Sequence, residues 1–201
     1  MPILTDDRIA ALLAPYLGDF PTPPELIQQL STYLDLLLKW NARTNLTAIR
    51  EPEAIVQRHF GESLFAGVHL ASRLVPAAAL LDLGSGAGFP GLPIQLLLPG
   101  LHVTLAESQN KKASFLREAV RTLGLPRTEV WAGRAEDLPA ERTFAAVTVR
   151  AVDNMPVALA AATPRLQPGG VLVSYMSDAR PEAESIPLPL SGTFLVLEAR
   201  S

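Results

Sequence analysis

The chain of 201 residues has no cysteine. Disulfides, thiolate metal sites and a cysteine nucleophile are therefore excluded. Histidine is scarce: His59, His69 and His102 form no HxxxH pair, so no metal centre is expected. No apolar run approaches the roughly 20 residues of a membrane span. The opening MPILTDDRIA lacks both a basic segment and an unbroken apolar stretch, which predicts no signal peptide and a cytoplasmic location. Charge is modest as well, at 18% of residues with a formal net charge of −3. That balance speaks mildly against a large polyanionic partner, although a local basic face generates its own field whatever the total. What is present is apolar material, 48% of the chain, enough for the core of one ordinary domain.

The most informative stretch is residues 79–92, ALLDLGSGAGFPGL. A short apolar run ends in Gly84, Gly86 and Gly88, and Pro90 then opens a second apolar stretch that stops at Pro99-Gly100. This is the pattern of a strand, a tight loop and a helix. Glycines let the loop backbone approach a ligand closely, and the following helix is expected to aim free N–H groups at it. The GxGxG spacing differs from the GxGxxG of a dinucleotide fold, which disfavours a nicotinamide oxidoreductase. Asp82, ahead of the first glycine, suits a nucleoside-type cofactor with no pyrophosphate to cradle. The next strand-like run, LHVTLAE, ends in Glu107, placed to hold ribose hydroxyls from the tip of a second strand. Together these features predict an S-adenosylmethionine site.

Residues 1–75 read as a helical subdomain and 76–201 as the core. Ile9, Leu12, Leu13 and Tyr16 recur at helix spacing, and an apolar stripe runs from Leu26 to Trp40. KWNARTNLTAIREP reads as a polar loop, and a third helix after Pro52 carries Ile55, Val56, Phe60, Leu64 and Val68 on one side. From residue 78 the pattern changes. Strands over 78–83, 102–106, 128–132, 144–149 and 170–176 alternate with helices over 90–98, 109–123 and 155–166. Such alternation predicts a Rossmann-like, mostly parallel sheet with helices on both faces. TFLVLEA, 193–199, reads as a final antiparallel strand, whereas the proline-broken IPLPLSG before it is poor strand material.

Ligands of such sheets sit at the carboxyl ends of the strands, near the reversal in strand order. Residues 133–138, GRAEDL, and 148–153, TVRAVD, should therefore converge on the glycine loop. The first offers the Ala135 N–H and the carboxylates of Glu136 and Asp137 to an adenine, or is a plain polar loop. The second offers Arg150 to the cofactor's reactive end. Phe89 either packs on the cofactor or belongs to the core.

In order along the chain, LLLKWNARTNLTAIREP, RHFGES, LLDLGSGAGFPGLP, KKASFL and TVRAV span about residues 33–175. On these motifs the chain resembles the bacterial small-subunit ribosomal RNA methyltransferase G family, once called glucose-inhibited division protein B. The resemblance implies a class I S-adenosylmethionine-dependent methyltransferase fold with an N-terminal helical extension. It also implies methylation of a guanine N7 in the 530-loop region of 16S ribosomal RNA. Cofactor contacts would fall at Gly84, Phe89, Ala135, Glu136 and Arg150, with Glu107 and Ser108 near the ribose. The chain departs from the family pattern at Glu62-Ser63, where Asp-Ser is usual, and at Met176-Ser177-Asp178, where the fifth strand usually leads into Lys-Gly. Its segment after residue 178 is also shorter and richer in proline.

Guanine N7 carries a free lone pair and no proton, so its methylation is an in-line displacement that needs neither a general base nor a metal. Alignment is then the main task, and proximity can supply about 7–11 kcal/mol. The sequence fixes no catalytic residue; Arg150, Glu62 and His59 are the candidates. Glu62 could offset the positive charge that passes to the guanine. Arg150 has the wrong sign for that, and fits a cofactor carboxylate or an RNA phosphate better. The RNA-binding candidates are Lys39, Trp40, Arg43, Asn45, Arg50, Arg58 and His59, then Lys111, Lys112, Arg117 and Arg121 on one helix. Trp40 and His59 read more readily as structural. A monomer acting on 16S ribosomal RNA or the small subunit is expected. Two readings stay open beside this one: methyl transfer to another acceptor, and a non-catalytic S-adenosylmethionine- and RNA-binding assembly factor.

Overall fold

The apolar runs at Ala79–Leu83 and Phe144–Val149, which have few polar positions to face water, pair in parallel at the middle of a seven-stranded sheet. A computed structural model describes residues 2–151 and 154–200. The strands are β1 (Ala79–Leu83), β2 (His102–Ala106), β3 (Thr128–Trp131), β4 (Phe144–Val149), β5 (Leu166–Met176), β6 (Glu184–Pro187) and β7 (Phe194–Ala199). Their order is β3-β2-β1-β4-β5-β7-β6, with β1 to β5 parallel and β7 antiparallel to both neighbours. The chain first builds outward through β2 and β3, then returns to place β4 on the other side of β1. Leu83, the last residue of β1, therefore stands between Ala106 and Val149 at the point of reversal.

The helices are α1 (Asp6–Leu17), α2 (Leu26–Asn41), α3 (Pro52–Ile55), α4 (Glu62–Ala71), α5 (Gly91–Leu97), α6 (Asn110–Thr122) and α7 (Met155–Ala162). Strand alternation divides them between the two faces. Leu80, Val103, Leu105, Ala146, Val173 and Leu197 face the larger core, which also takes Ile9, Leu30, Leu64, Ile94 and Phe115 from the helices. Leu81, Leu83, Ala106, Val147 and Leu172 face a smaller core closed by Ala158 and Ala162 of α7. Both faces carry helix, as the alternation predicts, but unequally. Among the described residues no helix is long and apolar enough to cross a membrane.

Three boundaries differ from expectation, each for a local reason. The helix expected over 155–166 ends at Ala162, because Pro164 cannot continue it; a 3-10 turn, Thr163–Arg165, leads straight into β5. β5 then begins at Leu166, and the register shift against β4 between Phe144 and Ala146 accommodates the residues 167–170, QPGG. Glu184–Pro187 is a strand that ends on its one proline at the sheet edge, where few backbone donors are needed, and the rest of IPLPLSG is not strand. Between α3 and α4 the chain winds as a π-helix, Val56–Gly61. The apolar spacing of that helix gives no sign of it.

Candidate active site

Asp82 organises the site from below. Leu81 and Leu83 point to one face of β1, so Asp82 points to the other, beneath α5, where it is fully buried. Its Oδ2 accepts from the Gly91 N–H at 3.1 Å, and its Oδ1 accepts from the Thr148 hydroxyl at 2.8 Å. The start of α5 is thus supplied with a carboxylate by the protein itself. Asp82 is a support of the loop rather than a cofactor-facing group, and α5 does not present a free Gly91 N–H to a ligand. Burial pushes the Asp82 carboxyl from its usual value near 4 up to about 6.

That shift has a testable sign. The folded protein keeps the Asp82 proton up to about pH 6, whereas the unfolded chain releases it near pH 4, so folding loses stability as pH rises between them. Asp82→Asn retains an acceptor for Gly91 and a partner for Thr148. In urea unfolding, its advantage over the parent chain is expected to grow from nearly zero at pH 4 to about 3 kcal/mol at pH 7. A difference that does not vary with pH would contradict the assignment.

Above Asp82 the loop turns at Gly84, Gly86 and Gly88, all at positive φ. Its backbone is bound on two sides. Gly86 N–H donates to Glu107 Oε2 at 2.9 Å, and Tyr33 of α2 donates its hydroxyl to the Ala87 carbonyl. Glu107 also accepts from the Gln109 N–H at 2.7 Å, through Oε1. Each of its oxygens retains a further lone pair.

Gly84, Gly86, Phe89, Glu107, Lys112, Arg150, Ala151 and His59 line a cleft of about 360 Å³, whose opposite wall is Leu46, Thr47, Ala48 and Ile49. The volume and the mixture of apolar wall and convergent polar groups suit a small-molecule ligand. Glu107 offers acceptor capacity for a diol, and Gly86 leaves open space where a side chain would stand. The donor set therefore fits a nucleoside. The His59 ring stacks on Phe89 with centroids 4.6 Å apart, and its Nε2 lies 2.7 Å from the Thr47 hydroxyl. Burial, then the charges of Arg150 and Arg58, hold His59 down at about 3, so the ring is neutral at physiological pH.

Arg150 closes one end of the cleft at the tip of β4. It turns back onto the N-terminal helices: Nη2 meets Glu62 Oε2 at 2.5 Å, and Nη1 donates to Ser63 Oγ at 3.2 Å. It also donates to the Arg58 carbonyl and lies over the Tyr175 ring, 4.8 Å from its centroid. Glu62 is engaged at both oxygens, since its Oε1 accepts from Arg58 Nε at 2.9 Å. Of the three catalytic candidates, Arg150 and His59 line the cleft and Glu62 stands behind Arg150 as its counter-charge. Ala151, next in the chain, has φ 49 and redirects the backbone as it leaves β4. The last two residues of the expected TVRAVD stretch, Val152 and Asp153, lie outside the described residues.

The remaining candidates are spread around this centre. Ser108 is exposed beside Glu107, while Ala135 is buried and Glu136 exposed in a 3-10 turn, Ala135–Asp137, outside the cleft lining. Lys39, Arg43, Asn45, Arg50 and Arg58 are exposed, and Trp40 half-buried, with its indole N–H donating to Glu118 at 3.2 Å. On α6, Lys111, Arg117 and Arg121 are exposed and Lys112 reaches the cleft. Sequence reasoning missed Tyr33, Thr148 and Arg165. Tyr33 is indistinguishable from its apolar neighbours in the stripe of α2. Thr148 could have been found as the polar residue of β4 at the level of Asp82. Arg165, buried, gathers the carbonyls of Glu136, Leu138 and Pro139 and so fixes the 3-10 turn.

A glycine-turned cleft over a parallel sheet of this strand order defines the class I methyltransferase fold. A putative O-methyltransferase from Klebsiella pneumoniae shares it, with a TM-score of 0.63 and 17% identity over 92% of this chain and 93% of that one. The profile of the family described as rRNA small subunit methyltransferase G matches residues 26–186. The chain is 41% identical over 181 residues to the ribosomal RNA small subunit methyltransferase G of Stenotrophomonas maltophilia strain K279a, covering 90% of this chain and 82% of the relative. The Myxococcus xanthus protein of that name is 38% identical over 180 residues, 88% of this chain and 81% of its own length. The chain belongs to the ribosomal RNA small subunit methyltransferase G family.

Proposed function

We propose that this chain uses S-adenosylmethionine to methylate N7 of a guanine in the 530-loop region of 16S ribosomal RNA. Family membership supports the ribosomal RNA substrate. The observation that carries the cofactor is the Glu107 carboxylate held against Gly86 at the carboxyl edge of the sheet, where the strand order reverses. Bound there, S-adenosylmethionine supplies an electrophilic methyl group on a sulfonium centre.

Glu107 accepts from the ribose hydroxyls with the lone pairs its N–H partners leave free. Gly84, Gly86 and Phe89 lie along the cofactor, Gly88 supports the loop from behind, and Ser108, Ala135 and Glu136 serve the adenosine end. The guanine brings its own lone pair, so no side chain has to take a proton. His59, neutral and stacked, packs the site instead of titrating in it. Methyl transfer would place positive charge on the guanine ring, and a bare arginine alongside would oppose this. The Arg150 charge is partly offset by Glu62 at 2.5 Å, a carboxylate it shares with Arg58, which weakens the opposition. Lys39, Asn45, Arg50, Arg58, Lys111 and Lys112 meet the RNA, chiefly at phosphates. On this reading residues 1–75 form the RNA-facing helical subdomain of a cytoplasmic monomer and 76–201 the catalytic core.

The decisive experiment incubates small-subunit ribosomal RNA from cells lacking the protein, naked and as assembled subunits, with methyl-labelled S-adenosylmethionine. Label is expected on a 530-loop guanine, at a position cleaved by an N7-specific reaction. Cofactor binding without label on either form would replace this reading with a non-catalytic RNA-binding factor.

A further inference from the structure

One wall of the cleft belongs to residues 42–51, a connection with neither helix nor strand. Leu46 is its only fully buried side chain, so apolar burial does little to offset the entropy of ordering it. The first residues of the connection make local turn bonds, the Leu46 N–H reaching the Thr44 carbonyl at 2.7 Å, and beyond these the backbone is tied to the fold by one buried residue. Asn41, the last residue of α2, accepts at Oδ1 from the Leu46 N–H at 2.9 Å and the Thr47 N–H at 3.1 Å. Its Nδ2 donates to the Thr47 carbonyl at 3.0 Å.

Thr47 carries the constraint onward. Its hydroxyl accepts from the Ile49 N–H at 3.2 Å and meets His59 Nε2, and the His59 ring stacks on Phe89 of the glycine loop. A continuous set of contacts therefore runs from the end of α2 to the opposite wall of the cleft.

We propose that Asn41 is a positioning residue for methyl transfer: its side-chain amide sets residues 46–49 as the wall facing the glycine loop and, through Thr47, seats the His59–Phe89 stack. The outer side of the same connection bears Arg43, Asn45 and Arg50, all exposed. The clamp holds these in register with the cleft as well. The inference rests on the cofactor reading of that cleft.

The test compares Asn41→Leu, which loses all three hydrogen bonds, with Asn41→Asp, which keeps the two accepted ones. Trypsin reads the connection directly, without cofactor, because Arg43 and Arg50 lie in it. Asn41→Leu is expected to be cut there about tenfold faster than the parent chain, as the open fraction rises from about one tenth to about nine tenths and the ordered fraction falls to roughly one tenth. The dissociation constant for S-adenosylmethionine should rise by about the same factor. The turnover number at saturating cofactor should fall by less than the affinity does, because bound cofactor draws residues 46–49 back into place. Asn41→Asp should fall between the two proteins in both readouts. Parental cleavage rate and affinity in Asn41→Leu would overturn the proposal. Equal impairment of both variants together with a lowered melting temperature would also overturn it, showing a role in folding alone. If the parent chain itself does not bind S-adenosylmethionine, the cofactor reading fails, and the proteolysis still judges the clamp.

Discussion

Replacing Glu62 with Ala is expected to lower stability by about 3–5 kcal/mol, a fall in melting temperature on the order of 10 °C for a chain of this length. The cause is what remains, more than what is removed. Arg150 has a side chain only 10% exposed, and its guanidinium would be left in a protein interior with carbonyl and hydroxyl partners but no counter-charge. Arg58 contributes little to the loss, because it is exposed and can return to water. Removing both members of the buried pair tests this account. Glu62→Leu combined with Arg150→Met should recover most of the stability, since an apolar pair of similar volume has no desolvated charge to leave behind. Calorimetry of the single and double variants gives the answer. A double variant as unstable as Glu62→Ala would show that the pair is not the unit. The recovered protein should fold yet bind S-adenosylmethionine more weakly, because the part of the cleft lining formed by Arg150 would be remade.

Gly88→Ala has the second large effect, expected at about 3 kcal/mol or more. Gly88 has φ 92, so any Cβ there carries backbone strain of about 1–2 kcal/mol. A Cβ would also stand 2.6 Å from the Tyr33 hydroxyl and against the Leu92 side chain. Tyr33 cannot retreat, being fully buried and hydrogen-bonded to the Ala87 carbonyl. Overpacking adds roughly 1–3 kcal/mol. Gly86→Ala is the informative contrast. Its Cβ meets nothing closer than the Gly84 carbonyl at 3.8 Å, so only the strain at φ 57 is paid in stability, about 1–2 kcal/mol. The methyl group would nevertheless stand on the cleft lining. Chemical unfolding beside calorimetric titration of S-adenosylmethionine should separate the two: Gly88→Ala fails first in stability, Gly86→Ala first in binding. Similar stability losses in both variants would refute the distinction.

The centre of the sheet was legible because strands buried on both faces must read as apolar runs, and β1, β2 and β4 do. Glu107 could be placed because a strand end followed by a helix start leaves little freedom for a carboxylate. The edges were harder. β6 exists through pairing with β7, and its own composition argues against it. β5 begins at Leu166, ahead of a QPGG stretch that local rules assign to a turn, and its pairing with β4 skips that stretch and resumes at Val171. Asp82 was misread for a different reason. The glycine motif drew it toward the ligand, while the alternation Leu81-Asp82-Leu83 had already sent it beneath α5. The Arg150–Glu62 pair joins residues 88 positions apart and leaves no local signal. Asn41 was visible only as one of several polar residues at and beyond the end of α2; its buried, hydrogen-bonded state comes from the folding back of residues 46 and 47.

The π-helix at Val56–Gly61 absorbs a residue that α winding would turn into a rotation. A π turn holds one residue more than an α turn, and each residue of an α-helix advances the azimuth by about 100°. Wound as unbroken α-helix at its present length, the segment would make every hydrogen bond, but the extra residue would add one such advance. Its downstream half would then be rotated against its upstream half by that angle. With α4 seated in the core, Ile55 and Val56 would be pulled from their apolar contacts; with α3 seated, Glu62 would swing away from Arg150. The π turn therefore lets this segment hold one residue more than an α-helix would while both flanking faces stay on the core.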